Sequence, residues 1–162
     1  MDKHSAWTGG QYSLYRALVG LYLVIHFGML LPYAGELFAV GGAVTAADQS
    51  PYFGLLPNPL AWSDSPIAVA GLLLSALAAS LLLLIGWGDR MAALWCALVL
   101  AGLFARNPLI ANPSLPLLGW MLIAHVCTPP RPFGSWAARR AGWPRSRRGT
   151  RTGCRPRRCR GG

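Results

Sequence analysis

Two histidines and one arginine are the residues of this chain whose side chains are most suited to chemistry. Arg16, His26 and His125 each lie within a mainly apolar stretch of sequence. Histidines from two helices can supply both axial ligands of a b-type haem, and an arginine can bind an anionic group. Whether they do so depends on the helices that carry these residues and on the level at which each side chain lies.

The surroundings of these residues are set by long runs without charge. Residues 67–85 include no charged side chain and only two hydroxyls, Ser75 and Ser80. At about 1.5 Å per residue a helix of this length reaches roughly 28 Å, close to the thickness of the hydrocarbon core of a bilayer. The 162-residue chain is 54% hydrophobic and 12% charged, which indicates one integral membrane domain rather than a soluble one.

The apolar pattern predicts an all-α membrane protein with four transmembrane helices in an antiparallel bundle. The predicted spans are residues 12–31, 66–87, 91–105 and 113–128. Gly86–Arg90 is predicted to be a tight turn that makes the second and third spans antiparallel neighbours. Arg90 and Arg106 are expected to snorkel from the short third span. A short interfacial helix is predicted over residues 34–38.

Charge predicts which side of the membrane each loop faces. Residues 131–162 contain eleven Arg and no acid, whereas the earlier residues carry four bases and five acids. Because basic segments stay in the cytoplasm, this tail and the N-terminus, residues 1–11, are predicted to be inside. The loop of residues 32–65 has three acids and no base, and it is predicted to be outside.

The sequence after Trp136 differs from the rest of the chain. It contains Arg, Gly, Pro, Ala, Ser, Thr, Cys and Trp but no aliphatic residue larger than alanine. Such a segment cannot form a core and is predicted to be disordered. Two interpretations stay open: a basic tail that binds anionic lipid, or a shift of reading frame near residues 137–142. No specific nucleic-acid partner is predicted.

Helical rise argues against a haem. His26 precedes Pro32 by six residues and lies about 9 Å from the outer end, whereas His125 follows Pro113 by twelve residues and lies about 18 Å deep. Two axial ligands of one haem iron must lie at the same depth in the membrane, so no cofactor is predicted. Each histidine is expected to be neutral and to make one interhelical hydrogen bond. Arg16 either snorkels to the cytoplasmic face or points inward to tie helices together or bind an anion.

The remaining candidate ligands are predicted to be structural. No pair of cysteines has C-x-x-C spacing, and no histidine lies near the pair in the tail, so no metal site is predicted for Cys96, Cys127, Cys154 and Cys159. Asn112 precedes Pro113, and this pair is expected to cap the start of the fourth helix.

Several short motifs carry a family resemblance. Arg16 is followed four residues later by Gly20 in the first span, Gly88 and Arg90 lie in the turn before the third, and Asn112 precedes the fourth. In these features residues 12–128 resemble the N-terminal part of the HTTM domain, the membrane domain of vitamin K-dependent gamma-carboxylases and their bacterial relatives. The resemblance implies a protein of the bacterial cytoplasmic membrane, with the lipid bilayer and other membrane subunits as partners.

Two departures from that family bear on catalysis. The carboxylases look to a lysine before the fourth helix as their base, and the nearest basic residue here, Arg106, stays protonated and cannot serve as one. The family's domain also continues through further helices. The sequence therefore favours a multi-pass membrane protein that is a truncated HTTM-like domain without catalysis of its own. Two alternatives remain: a membrane enzyme or redox-partner subunit that holds a lipophilic quinone-like substrate with Arg16, His26 and His125, and a small transporter component.

Overall fold

Helices account for most of what the computed structural model describes, which is residues 9–43, 50–52, 54–63, 65–108, 112 and 114–127. No strand occurs among these residues. The helices are α1 (Gly9–Leu30), a 3-10 turn (Leu31–Tyr33), α2 (Ala34–Phe38), a second 3-10 turn (Pro59–Ala61), α3 (Pro66–Ile85), α4 (Asp89–Arg106) and α5 (Ser114–Cys127). The tail of residues 131–162, with the lipid binding and the frame shift predicted for it, lies outside the described residues.

The ends of α3 follow from the residues at its termini. The Ser65 hydroxyl accepts a hydrogen bond from the Ala68 N–H at 3.2 Å, and Pro66 occupies the first helical position, where no N–H is needed. At the other end Gly86 has a φ of +80° and donates its N–H to the Leu82 carbonyl at 2.8 Å. This left-handed residue ends the helix, as glycine does at many C-termini.

Two local predictions in the loops and helix starts are confirmed. α2 covers Ala34–Phe38, the residues predicted as a short helix after the first span. The Asn112 side chain accepts a hydrogen bond from the Ser114 N–H at 3.2 Å and so caps α5. α4 begins at Asp89, two residues before the predicted start, because Gly88 adopts a left-handed φ of +58° and the Asp89 carboxylate suits the first turn.

The long helices pack in an antiparallel order. α1 packs on α3, α3 on α4 and α4 on α5, while α2 lies against α3. The predicted antiparallel pairing of the second and third spans is therefore confirmed. The closest approach joins α1 to α3 at Gly20, where a Cβ would come within 2.8 Å of the Leu84 backbone nitrogen. The absence of a side chain at this position lets the two backbones meet.

Two helical stretches are long and apolar enough to cross a membrane, judged by length and composition: Gln11–Phe38 and Pro66–Ile85. They correspond to the first and second predicted spans. α4 has 18 residues and carries charged side chains at both ends, and α5 has 14 residues. Length and composition alone therefore do not assign a membrane crossing to the third and fourth predicted spans.

Candidate functional site

One end of the bundle gathers polar side chains from three helices. The Tyr12 hydroxyl lies 2.6 Å from Nδ1 of His125, and Nε2 of the same ring lies 3.7 Å from the Asp89 carboxylate. Antiparallel packing explains this meeting, because Tyr12 lies in the first turn of α1, Asp89 begins α4 and His125 lies in the last turn of α5. We call Tyr12, Arg16, Asp89 and His125 the end cluster.

The His125 ring connects α5 to both α1 and α4. When the Tyr12 hydroxyl donates to Nδ1, the ring proton lies on Nε2 and faces the Asp89 carboxylate. The ring is 4% exposed, so these contacts form away from water. The interhelical hydrogen bond predicted for His125 is therefore present. The arrangement keeps a proton on Nε2 of a buried imidazole. The contacts of this ring with Tyr12 and Asp89 fix the position of α5.

Arg16 points into the bundle. Its side chain is 4% exposed, and one terminal nitrogen donates to the Leu83 carbonyl in the last turn of α3 at 2.9 Å. A Cβ on Gly86 would collide with the same guanidinium, so this glycine makes the space that the arginine fills. Of the two interpretations of Arg16, the structure shows the inward-facing one, in which the cation ties α1 to the negative end of α3.

The opposite end of the bundle holds a second buried cation. Arg106 is 0% exposed, and its Nε donates to the Phe38 carbonyl at 3.0 Å. The neighbouring Asn107 amide donates to the Leu37 carbonyl at 3.0 Å. These bonds supply donors to the final carbonyls of α2, which lack partners within their own helix. The prediction that Arg106 snorkels to the membrane surface is wrong, because α2 folds over it and supplies its acceptors.

His26 lies apart from the end cluster. Its ring stacks on Tyr22 with 5.9 Å between centroids, contacts Phe27 at 5.7 Å and lines a cavity of about 30 Å³. Within the described part of the chain, no interhelical hydrogen bond of His26 is present, and its ring contacts lie within α1. Fourteen residues separate His26 from Tyr12, which is about 21 Å along the helix axis. His26 and His125 therefore lie at different levels.

The five positions on which the HTTM resemblance was predicted from the sequence have separate structural roles. Gly20 permits the contact with α3, Gly88 supplies the left-handed residue before α4, and Asn112 caps α5. Arg90 is half-buried in the first turn of α4, next to Asp89. Together with Arg16, four of these five positions determine how helices begin, end or approach one another.

The sequence interpretation missed Tyr12 and Asp89 as partners of His125. Tyr12 was only the first residue of a span, and Asp89 only part of a turn. A signal was available, since the predicted topology already put the start of the first and third spans and the end of the fourth at one side of the membrane. Residues at those three ends are the ones that can meet.

Cysteines and other ligand-type residues form no larger cluster in the described part of the chain. No group of three or more His, Cys, Asp or Glu side chains gathers there as a metal site would require. Cys96 is buried, with its sulfur 3.5 Å from the Ser80 hydroxyl, and Cys127 is exposed. Cys154 and Cys159 lie outside the described residues.

Comparison with known proteins gives no relative for this arrangement. No family model, no curated protein and no solved structure matches the chain.

Proposed function

We propose that this protein is a multi-pass membrane protein whose four long helices, α1, α3, α4 and α5, cross the bacterial cytoplasmic membrane. The proposal assigns it no catalysis of its own and treats it as an HTTM-like helical unit that works with other membrane subunits. The observation that carries the proposal is the distribution of polarity in the bundle: every long helix exposes large apolar side chains, while arginine and histidine side chains are buried beside an apolar core.

The outer surface of the bundle is apolar on every long helix. On α1 the exposed large side chains recur at helical spacing from Leu14 to Met29, and similar residues face outward from the other helices. They are Leu14, Leu18, Leu21, Ile25 and Met29 on α1, Ile67, Leu74, Leu81 and Ile85 on α3, Met91, Leu94 and Trp95 on α4, and Leu117, Trp120 and Ile123 on α5. A soluble bundle would carry polar residues on these faces, so lipid is the solvent that suits them.

The interior contains the polar groups that the surface lacks. Arg16, Arg106, Asn107 and His125 are all buried, and each makes a hydrogen bond to another part of the fold. Polar residues within a membrane face the bundle interior for this reason. Both arginines donate to backbone carbonyls, so their charge holds helices in place, which favours a structural role over a catalytic one.

The loops support an orientation with the end cluster on the cytoplasmic side. Arg90 lies at the turn between α3 and α4, and Glu36 lies in α2 at the opposite end of the bundle. The eleven Arg after residue 130 together with Arg90 put the Gly86–Gly88 turn in the cytoplasm and α2 outside by the positive-inside rule, and Arg106 at the α2 end is buried rather than facing the outer surface. α5 has 14 residues and reaches about 21 Å, so a full crossing needs the bilayer to be about 9 Å thinner at this helix.

The enzyme alternative needs Arg16, His26 and His125 to hold one substrate. Arg16 and His125 belong to the end cluster, whereas His26 lies near the other end of α1, so a single small headgroup does not reach all three. The transporter alternative needs a polar path through the bundle, and Leu23, Phe27, Leu73 and Val99 fill the described core instead.

Fractionation tests the proposal. The protein should remain in the membrane pellet after a wash with sodium carbonate at high pH and should dissolve only in detergent. A Leu21→Asp variant, which puts a charge on the outward face of α1, should lower the integrated fraction, and Gln11→Asp at the helix end should not. Recovery of the wild-type chain as a monodisperse protein without detergent would contradict the proposal.

Purification separates the non-catalytic proposal from the enzyme alternative. The detergent-purified protein should show no absorbance band other than that of its aromatic residues. Its lipid extract should not contain quinone at one molecule per chain. A quinone recovered at one molecule per chain, and lost in the His125→Gln variant, would favour the enzyme.

A further inference from the structure

A cavity of about 390 Å³ opens on the side of the bundle between α4 and α5. Its lining is entirely aliphatic or aromatic, with α4 on one side, α5 on the other and Leu56 and Pro57 at one end. We call this cavity the lateral slot. Its volume falls within the range of ordinary ligand pockets, which is roughly 300–1,000 Å³.

Small residues give the slot its depth. Ala97 and Ala101 lie one helical turn apart on α4, and Gly119 lies opposite them on α5. A Cβ added at Gly119 would meet nothing within 4 Å, so the space in front of this glycine is open. Leu94, Phe104 and Ile123 contribute longer side chains to the same lining.

The slot is elongated along the helices. On α4 its lining extends from Leu94 to Phe104, ten residues, which is about 15 Å at helical rise. The hydrocarbon core of a bilayer is about 30 Å thick, so one leaflet contributes about 15 Å. The slot therefore has the length of a single lipid chain, and because its lining is centred close to the middle of α4 it would take the end of the chain that reaches the bilayer midplane.

Contacts within the protein itself close one end of the slot. Tyr52 packs its ring on Phe104 with 4.7 Å between centroids, and Pro59 lies so close to Gly102 that a Cβ there would meet it at 2.6 Å. These contacts hold the loop that carries Leu56 and Pro57 against α4. The end wall is therefore part of the fold.

We propose that the lateral slot binds one acyl chain of a membrane phospholipid. This inference rests on the proposed location of the bundle in a membrane. A helix of a second copy is the other apolar occupant to consider, and about 15 Å of a helix about 10 Å across would need roughly 1,200 Å³. The slot is about a third of that size, so a flexible hydrocarbon chain fits and a helix does not.

Photolabelling tests the occupant directly. The protein is reconstituted into vesicles of phosphatidylethanolamine and phosphatidylglycerol that contain a little phosphatidylcholine with a diazirine at the middle of one acyl chain. After irradiation, labelled peptides are quantified by mass spectrometry. The reference position is Leu74, which is exposed on α3 and lies at nearly the same height as Ala101, because α3 and α4 run antiparallel from one turn.

The expected result is a several-fold excess of label at Ala97, Ala101 and Gly119 over Leu74. Gly119→Leu fills the slot and should reduce this excess to the level at Leu74. Gly71→Leu, at a glycine on α3 that also has open space in front of it, should leave the excess unchanged. Equal labelling of the slot and Leu74 in the wild type, or an excess that survives Gly119→Leu, would overturn the inference.

The outcomes separate this inference from the proposal on which it rests. A chain that does not insert into the vesicles refutes the membrane location itself. A chain that inserts but shows no excess label in the slot refutes only the lipid site. Disulfide-linked dimers of a Gly119→Cys variant in the same vesicles would place a second copy at the slot and would also refute the lipid site.

Discussion

At the scale of single residues, the buried cations are the feature that most constrains this molecule. Arg16 and Arg106 lie at opposite ends of the bundle, and each donates to a carbonyl near the C-terminus of another helix. A helix C-terminus has partial negative charge and carbonyls without intrahelical partners, so it is a natural acceptor for an arginine. The sequence marked both arginines as unusual, but their acceptors are backbone atoms, which no side-chain pattern reveals.

Removal of the Arg16 guanidinium should destabilise the bundle. Arg16→Met keeps the unbranched apolar stem of the side chain but deletes the guanidinium that donates to the Leu83 carbonyl, and a hydrogen bond to a charged group contributes about 1.5–3 kcal/mol. The free energy of unfolding in detergent should fall by about that amount. Leu18→Met, at an exposed position of the same helix, is the matched control and should leave it unchanged.

Gly86 provides a second test of the Arg16 site. Gly86→Ala should destabilise the protein in two ways, through the left-handed φ of +80° and through collision with the guanidinium. In the Arg16→Met background the collision disappears and only the backbone cost, about 1–2 kcal/mol, should remain. Additive effects of the two substitutions would show that the contact between Arg16 and Gly86 is absent.

The hydrogen bond between Tyr12 and His125 should affect both the free energy of unfolding and the NMR signals of the imidazole. Tyr12→Phe deletes the hydroxyl and should cost about 0.5–1.5 kcal/mol, as measured by thermal unfolding in detergent. It should also change the ¹⁵N chemical shifts of His125, because Nδ1 loses its donor. Tyr15→Phe, one turn further along α1, should alter neither quantity. An unchanged His125 spectrum in Tyr12→Phe would contradict the contact.

At the scale of elements, the residues that start and stop helices predicted the helix boundaries. The sequence predicted less well which side of each helix points inward. Pro66, Gly86 and Asn112 mark helix ends through backbone chemistry that acts locally, and the structure follows these signals. Which face points inward was not predictable for α1, because apolar residues surround this helix on all sides. The partners of its polar residues come from α3 and α5, and His125 is 113 residues from Tyr12 in sequence.

The contact between α1 and α3 should depend on Gly20. A methyl group there would meet the backbone of Leu84, which cannot rotate away, so Gly20→Ala should force the helices apart. Overpacking of this kind costs about 1–3 kcal/mol. Gly28→Ala on the same helix enters open space and should be neutral or stabilising by up to about 1 kcal/mol. Equal thermal midpoints for the two variants would refute the close approach.

At the scale of the whole molecule, the apolar outer surface and the buried cations of the bundle are the observations that belong together. Apolar side chains face outward on four helices, while arginine and histidine side chains lie inside. Length and composition mark α1 and α3 as able to cross a membrane, and the tight turn and the end cluster hold α4 and α5 alongside them. If the proposed membrane location holds, the buried polar contacts at both ends of the bundle are expected to keep all four helices together in the bilayer.

Cysteine accessibility across the membrane tests this central claim most directly. In a background without native cysteines, single cysteines replace Ser63, Trp87 and Ser114, which are all exposed and lie in or next to successive loops. In intact cells a membrane-impermeant maleimide should label Ser63→Cys and Ser114→Cys at once, but Trp87→Cys only after permeabilisation. Labelling of Ser63→Cys alone would mean that only α1 and α3 cross the membrane, and it would contradict a bundle of four spanning helices.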